Sequence, residues 1–180
     1  MGWLALGAVL AAAAVAMAGF FRDPERVSPG GEGIVVSPAD GKVVDVGDAS
    51  DPAGRRRSIY LSPLDVHINR APLNGRVADV RYQTGHFLAA YKGKASDENE
   101  RNAIELVDEE GRTLRIVQIA GFLARRIVCH VGRGDSLKRG ERFGMIMFGS
   151  RVDLHLPRDA AVEVLAGQRV RGGETIVARF

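Results

Sequence analysis

Two internal sequence repeats constrain the fold of this 180-residue chain more than any other feature. Residues 38–46 match residues 72–80 at an offset of 34, and residues 134–143 match residues 167–176 at an offset of 33. Each unit is a turn that leads into a β-rich run, with a glycine that tolerates backbone angles a Cβ would resist. Repeats of this kind predict paired β units within one domain. Their arrangement favours a barrel-sandwich architecture, similar to that of biotinyl and lipoyl carrier domains.

The chain after residue 33 consists of short β-rich runs separated by Gly, Pro, Asn and Asp. Such runs predict strands, and they cover 34–36, 43–46, 57–61, 77–82, 103–107, 114–120, 126–131, 145–148, 161–165 and 175–180. A short helix is expected near 63–67, and no long amphipathic helix is evident beyond the N-terminus. We therefore predict a mostly β fold, a barrel-sandwich-hybrid-like domain with internal repeats that follows an N-terminal hydrophobic helix.

The first 21 residues contain no charged side chain. As a helix they would extend about 31 Å, close to the thickness of a bilayer's hydrocarbon core. Arg22 and Arg26 follow directly, and the positive-inside tendency places the next domain in the cytoplasm. We predict a membrane anchor over 1–21 and a globular domain over 22–180. A cleaved signal peptide, indicated by the small residues at 16–18, and a buried helix are the alternatives.

Composition narrows the classes of function. A net charge of +3 and an aromatic content of 6% argue against a nucleic-acid-binding protein. Cys129 is the only cysteine, so no intramolecular disulfide can form. The four histidines lack metal-ligand spacing, and Asp153 and His155 alternate as on the solvated face of a strand. We therefore expect neither a nucleic-acid partner nor a metal.

The repeat separates turn geometry from chemistry at one position. The first unit has Asp40 where the second has Asn74. Because Asn supports the same turn, the turn does not require an ionisable group there. The carboxylate of Asp40 is therefore a candidate for chemistry, although Asp is also a common turn residue.

The Gly149-Ser150 dipeptide has two interpretations, an ordinary turn and a self-processing site. Ile146 stands where a biotin carrier has its lysine, so nothing there can be acylated, and no Gly-x-Ser-x-Gly elbow surrounds Ser150. A serine hydroxyl can attack the carbonyl before it if a base takes its proton. β-Elimination of the resulting ester and hydrolysis would leave a pyruvoyl group at the new N-terminus.

Several segments together resemble one family. They are 20–24, 37–41, 62–69, 94–102, 139–144 and 148–153, which span nearly the whole chain after the apolar segment. They resemble the phosphatidylserine decarboxylase proenzymes, specifically the short bacterial and archaeal type that includes archaetidylserine decarboxylases.

The resemblance implies autocatalytic cleavage between Gly149 and Ser150, giving a β chain of 1–149 and an α chain of 150–180. Ser150 would become the pyruvoyl group that forms a Schiff base with the substrate, assisted by Asp40 and His67. Longer relatives carry a second histidine three residues after the first, where this chain has Arg70. Whether His67 serves cleavage, decarboxylation or both therefore stays open.

The resemblance also implies the partners and the location. The substrate would be a serine phospholipid, converted to the ethanolamine lipid at the cell membrane with the catalytic domain on the cytoplasmic side. The αβ units would form a homodimer, and the charged segment 94–102 would help to shape the headgroup site. The alternatives are a pyruvoyl decarboxylase of a soluble amino acid and a non-enzymatic barrel-sandwich binding module.

Overall fold

One helix and fourteen strands form the regular structure of residues 2–45, 54–86, 99–121, 126–147 and 150–180, the parts of the chain that the computed structural model describes. The helix, α1, spans Gly2–Phe20. The strands are, in chain order, β1 (Ile34–Val36), β2 (Gly41–Asp45), β3 (Gly54–Leu61), β4 (Ile68–Arg70), β5 (Gly75–Gln83), β6 (Arg101–Val107), β7 (Thr113–Ile119), β8 (Ile127–Cys129), β9 (Ser136–Leu137), β10 (Arg142–Ile146), β11 (Ser150–Pro157), β12 (Ala161–Val162), β13 (Arg169–Val170) and β14 (Ile176–Arg179).

Antiparallel pairing joins these strands into three sheets. The largest has eight strands in the order β13-β2-β3-β11-β7-β6-β5-β9 and curls into a half-barrel. Two three-stranded sheets have the orders β1-β14-β12 and β4-β10-β8. The prediction of a mostly β domain that follows an apolar helix is confirmed.

The core lies against one face of the eight-stranded sheet. On β6 burial alternates, with Asn102, Ile104 and Leu106 buried and the residues between them partly exposed. This period of two is what a strand with one core-facing side requires. Ile116 of β7 and Leu154 of β11 continue the same buried face.

Strand β11 is buried on both faces. The expectation that Asp153 and His155 lie on a solvated face is wrong for Asp153, which is 1% exposed. Arg151 lies on the same face and donates to the Asp153 carboxylate at 2.6 and 2.8 Å. A buried carboxylate needs such a partner, and a strand in the middle of a sheet can supply it two residues away.

The two predicted repeat units make equivalent backbone hydrogen bonds. The N–H of Val36 donates to the carbonyl of Pro72 at 2.8 Å, and the N–H of Arg70, 34 residues after Val36, donates to the carbonyl of Pro38 at 2.9 Å. The β2–β13 pair and the β5–β9 pair correspond at the offsets found in the sequence, and so do the two three-stranded sheets. The internal repeat itself remains a prediction, but its two units are bonded alike.

Helix α1 is long and apolar enough to cross a membrane, with a mean hydropathy of 2.1 over an 18-residue window. Its side chains are exposed except for Phe20 at its end, which contradicts the alternative of a helix buried in the core. The helix therefore leaves an apolar surface without protein cover, which is a feature of segments that lie in lipid.

The short helix expected near 63–67 is wrong. The segment forms a turn in which the N–H of Asp65 donates to the carbonyl of Ser62 at 2.9 Å. The Asp65 carboxylate in turn accepts from the N–H and hydroxyl of Ser62 at 2.8 and 2.7 Å. Asp and Ser side chains compete in this way with the backbone hydrogen bonds of a helix. Here these side-chain bonds outweigh the helix signal of the proline and the apolar residues in the segment.

We expect Gly41→Ala to destabilise the fold strongly. Gly41 opens β2 with φ of 149°, and an added Cβ would lie 2.1 Å from the carbonyl oxygen of Tyr60 on the paired strand. Backbone must move to relieve that clash, so the free energy of unfolding should fall by more than about 3 kcal/mol. Thermal and urea unfolding of the detergent-solubilised chain measure the change.

Gly30→Ala is the matched control for this prediction. A Cβ at Gly30 has nothing within 4 Å, and its φ is outside the left-handed region. Its unfolding curve should overlay that of the wild type, and an equally small effect of Gly41→Ala would contradict the close approach of β2 and β3.

Candidate active site

Ser150 is the first residue of β11 and is fully buried. It pairs with Leu61 of β3, and it shares the core-facing side of its strand with Val152 and Leu154. Its Oγ has no hydrogen-bond partner among the described residues. Gly149, the other half of the predicted cleavage site, lies outside them. A buried hydroxyl without a partner costs roughly 1–3 kcal/mol, so its retention points to a chemical use.

His67 is fully buried one residue before β4. Its Nδ1 lies 2.9 Å from the carbonyl oxygen of Asp65. A carbonyl only accepts, so Nδ1 carries the proton and Nε2 of the neutral ring is the acceptor. This Nε2 is buried and unpaired within the described part of the chain. The ring is therefore held in the tautomer that a general base needs.

Burial lowers the pKa of His67 below its ordinary value of 6.5, against the opposing effects of the Asp65 carbonyl and of the Asp65 and Asp40 charges. Phe20 covers the ring, with centroids 4.2 Å apart. The imidazole is therefore neutral at neutral pH. Because the folded pKa lies below the unfolded one, the stability this contributes is complete above pH 6.5 and is lost as pH falls through the folded pKa.

Asp40 combines a turn contact with an ion pair. Its Oδ1 accepts from the N–H of Gly172 at 2.8 Å, just as Oδ1 of Asn74 accepts from the N–H of Arg139 at 2.8 Å in the other unit. Its Oδ2 in addition pairs with Arg26 at 2.8 Å. The shared bond is the turn function, and the ion pair is specific to the carboxylate.

Arg70 lies three residues after His67, at the end of β4. Its guanidinium is buried and donates to the carbonyl of Gly140 at 3.0 Å, to the carbonyl of Pro24 at 2.9 Å and to Asp23 at 3.1 Å. It therefore binds the segment that follows α1. This leaves His67 as the histidine of its segment.

Three buried amides form a hydrogen-bonded chain, in which Asn102 belongs to the predicted headgroup segment 94–102 while Asn69 and Gln118 had no predicted role. Nδ2 of Asn102 donates to Oε1 of Gln118 at 2.9 Å, and Nε2 of Gln118 donates to Oδ1 of Asn69 at 2.9 Å. Gln118 also donates to the carbonyl of Val128 at 3.2 Å, and Gly144 leaves room for it, since a Cβ there would come within 3.0 Å of its Nε2. The sequence signal that could have found this amide chain is Gln118, a polar residue at a core-facing position of the mostly apolar β7.

The remaining expectations concern the charged segment and metals. Residues 94–98 of the predicted headgroup segment lie outside the described residues, while Asn99 and Asn102 are buried at its end. Within the described ranges, no group of three or more His, Cys, Asp and Glu side chains could hold a metal ion.

Comparison with known proteins identifies the family of the chain. A family model described as phosphatidylserine decarboxylase matches residues 14–178. The phosphatidylserine decarboxylase proenzyme of Solidesulfovibrio magneticus is 46% identical over 181 residues, covering 98% of this chain and 85% of the relative. The proenzyme of Nitratidesulfovibrio vulgaris is 50% identical over 164 residues, 89% of this chain and 76% of the relative. That of Ruegeria pomeroyi is 45% identical over 186 residues, 99% and 83% respectively.

These matches define the chain as a carboxy-lyase, an enzyme that removes a carboxyl group as CO2. The resemblance seen in the sequence is confirmed over nearly its full length. The chain belongs to the phosphatidylserine decarboxylase family.

We expect Phe20→Ala to raise the pKa of His67 towards 6.5. Burial is the largest cause of the lowered value, and Phe20 forms part of the cover over the ring. NMR titration of the imidazole in the detergent-solubilised chain measures the shift. Phe21→Ala is the control, because Phe21 is 41% exposed. An unchanged His67 titration in Phe20→Ala would show that this contact does not desolvate the ring.

Proposed function

We propose that this enzyme decarboxylates phosphatidylserine to the ethanolamine phospholipid with a pyruvoyl group made from Ser150. The relatives named as phosphatidylserine decarboxylase proenzymes support the substrate and the need for maturation. Cleavage between Gly149 and Ser150 would produce a β chain of 1–149 and an α chain of 150–180. The observation that carries this proposal is that Oγ of Ser150 and Nε2 of His67 are both buried and both lack a hydrogen-bond partner among the described residues.

Self-cleavage would begin with His67 acting as the base. Its Nε2 is unprotonated at neutral pH, because burial lowers the pKa and the Asp65 carbonyl holds the proton on Nδ1. It can take the hydroxyl proton as Oγ attacks the carbonyl carbon bonded to the Ser150 nitrogen. Asp40 supports this base, since its charge raises the His67 pKa from a distance.

The fully buried Oγ of Ser150, beside Leu61 and the core-facing residues of β11, fits an origin of the cofactor within the chain. A pyruvoyl group supplies an electrophilic ketone and an electron sink for the loss of CO2. His67 can hold a proton at Nε2 and return it to the substrate carbon after CO2 has left. The surrounding core excludes water from this exchange.

Membrane attachment would bring the site to its lipid substrate. We assign residues 1–21 to an anchor and 22–180 to the catalytic domain on the cytoplasmic side of the cell membrane. Phe20 at the end of α1 touches the His67 ring, so the anchor ends at the active site. Two αβ units would form a homodimer, as the resemblance implies.

The segment after the anchor supports a fixed position of the domain at the membrane. Arg142 pairs with Asp23 and Glu25 at 2.7 Å each, and Arg26 pairs with Asp40. Each exposed pair contributes little by itself, but the set ties residues 22–28 to the barrel at several points. The helix end would then move with the active site as one unit.

Intact-mass analysis of the purified chain tests the cleavage. The wild type should give two chains with a ketone-bearing α N-terminus, and Ser150→Ala should give one chain without decarboxylase activity, because it lacks the nucleophile. Ser136→Ala, at an exposed serine, should process like the wild type. The substrate assay measures CO2 released from vesicles of ester-linked and ether-linked serine phospholipids and from free serine.

A single uncut chain with full activity would contradict the pyruvoyl proposal. Release of CO2 from free serine but not from vesicles would overturn the lipid substrate in favour of a soluble amino acid. Preference for ether-linked lipid would favour archaetidylserine. Family membership speaks against the non-enzymatic binding module.

We expect Asp40→Asn to slow self-cleavage by about tenfold or more, within the range of general-base effects. The amide can keep the bond from Gly172, but it loses the charge that raises the His67 pKa and leaves Arg26 without its partner. The rate of α-chain appearance measures the effect. Asn74→Asp, which changes the equivalent turn, is the control. Wild-type processing of Asp40→Asn would limit Asp40 to its turn.

A further inference from the structure

The chain of buried amides ends in a hydrogen-bond donor for which the described residues provide no acceptor. Asn102 donates to Gln118, and Gln118 donates to Oδ1 of Asn69. Because this bond fixes Oδ1 of Asn69 as the acceptor, the Nδ2 group of Asn69 is the end of the amide that points away from Gln118. Asn69 is fully buried, and its Nδ2 has no partner in the described residues. The chain thus orients one unsatisfied donor.

The fold does not require an amide at this position. β4 corresponds to β1 at the offset of 34, so the equivalents of Asn69 and His67 are Val35 and Gly33. Val35 is fully buried, as expected for a strand residue in the core. The same architecture therefore accepts an apolar residue where the second unit has a donor, and only the second unit carries the polar pair.

The donor faces the same side of the structure as the base and the serine. His67 and Asn69 are both fully buried and flank the partly exposed Ile68, the burial pattern of two side chains that leave the chain on one side. The Asn69–Gln118 bond shows that this side meets the core face of the eight-stranded sheet. Gln118 pairs with Val152, and Ser150 lies two residues from Val152 on that face.

We propose that Asn69 is a catalytic residue of self-cleavage, with Nδ2 donating to the carbonyl oxygen as Ser150 attacks that carbonyl. The Oγ–carbon bond forms, the hydroxyl proton passes to Nε2 of His67, and the carbonyl π electrons move to oxygen, where Asn69 stabilises the negative charge. The carbon–nitrogen bond then breaks, and the Ser150 nitrogen takes the proton from His67. The product is an ester, with atoms and charge balanced. The inference rests on the proposed function.

Pulse-chase of the full chain in cell-free synthesis with lipid vesicles tests the proposal. Asn69→Ala should slow appearance of the α chain by about 10²- to 10³-fold, as loss of one oxyanion donor does elsewhere. Asn69→Asp keeps the size and the bond from Gln118 but replaces the donor by an acceptor, and it should be as slow. This second variant decides the matter if protease resistance shows that Asn69→Ala is unfolded.

Asn102→Leu is the matched control for the rate of self-cleavage, because it removes a buried amide from the end of the amide chain opposite Asn69. Gln118 keeps its bonds to Asn69 and Val128 in this variant, so cleavage should stay close to the wild-type rate. Equal losses in Asn102→Leu and in the Asn69 variants would reduce the amide chain to a structural role and overturn the proposal.

Hydroxylamine, which cleaves esters, distinguishes the step affected. The slow Asn69 variants should stay uncut in its presence, because the ester has not formed. Splitting by hydroxylamine would place Asn69 after ester formation and overturn the proposal. Normal cleavage of the Asn69 variants with loss of their activity on phosphatidylserine vesicles would also overturn the proposal. That result would mean that Nδ2 of Asn69 donates to the substrate. An uncut wild type would overturn the proposed function itself, while a cut wild type with normally cut Asn69 variants would overturn only the role of Asn69.

Discussion

The position of Ser150 depends on the pairing of β11 along both edges. β11 pairs with β3 through eight residues and with β7 through five, in the middle of the eight-stranded sheet. A chain break before its first residue would leave these hydrogen bonds in place. The new N-terminus could therefore stay in register with the base and the amide chain without a covalent link. A serine in a surface loop would be released by the same cut, so central strand pairing is what makes the proposed maturation compatible with a defined site.

Three residues of the candidate site carry a buried polar atom without a hydrogen-bond partner among the described residues, as does Ser58 on β3. Asp153 is neutralised by Arg151, and Gln118 uses both ends of its amide. The atoms of Ser150, His67 and Asn69 that have no partner in the described part of the chain are a hydroxyl, a base and a donor. Each costs stability when left unpaired, and together they are the three functions that an acyl shift at a peptide bond needs.

Local chemistry in the sequence was enough to predict part of the candidate site. Ser150 and His67 belong to short motifs whose residues have few other uses in that order, and the Asp40/Asn74 difference separated a carboxylate from its turn. Runs of β-forming residues bounded by turn residues located most strands. The turn at 62–65 was missed because the local hydrogen bonds between Ser62 and Asp65 outweigh the helix signal. The burial of Asp153 was missed because it depends on the pairing of β11 with β3 and β7.

The sequence by itself determined the β-rich class, the apolar N-terminal helix, the family and the candidate residues Ser150, His67 and Asp40, since these follow from periodicity, composition and motifs along the chain. Only the tertiary structure decided that His67 presents Nε2 as an acceptor, that Arg70 binds the segment after the helix, and that Gln118 orients Asn69. The contacts of Arg70 and Gln118 join residues far apart in the chain, and all three properties depend on burial. A hydrogen bond, a tautomer and a depressed pKa exist only once the sheets have brought such groups together and buried them.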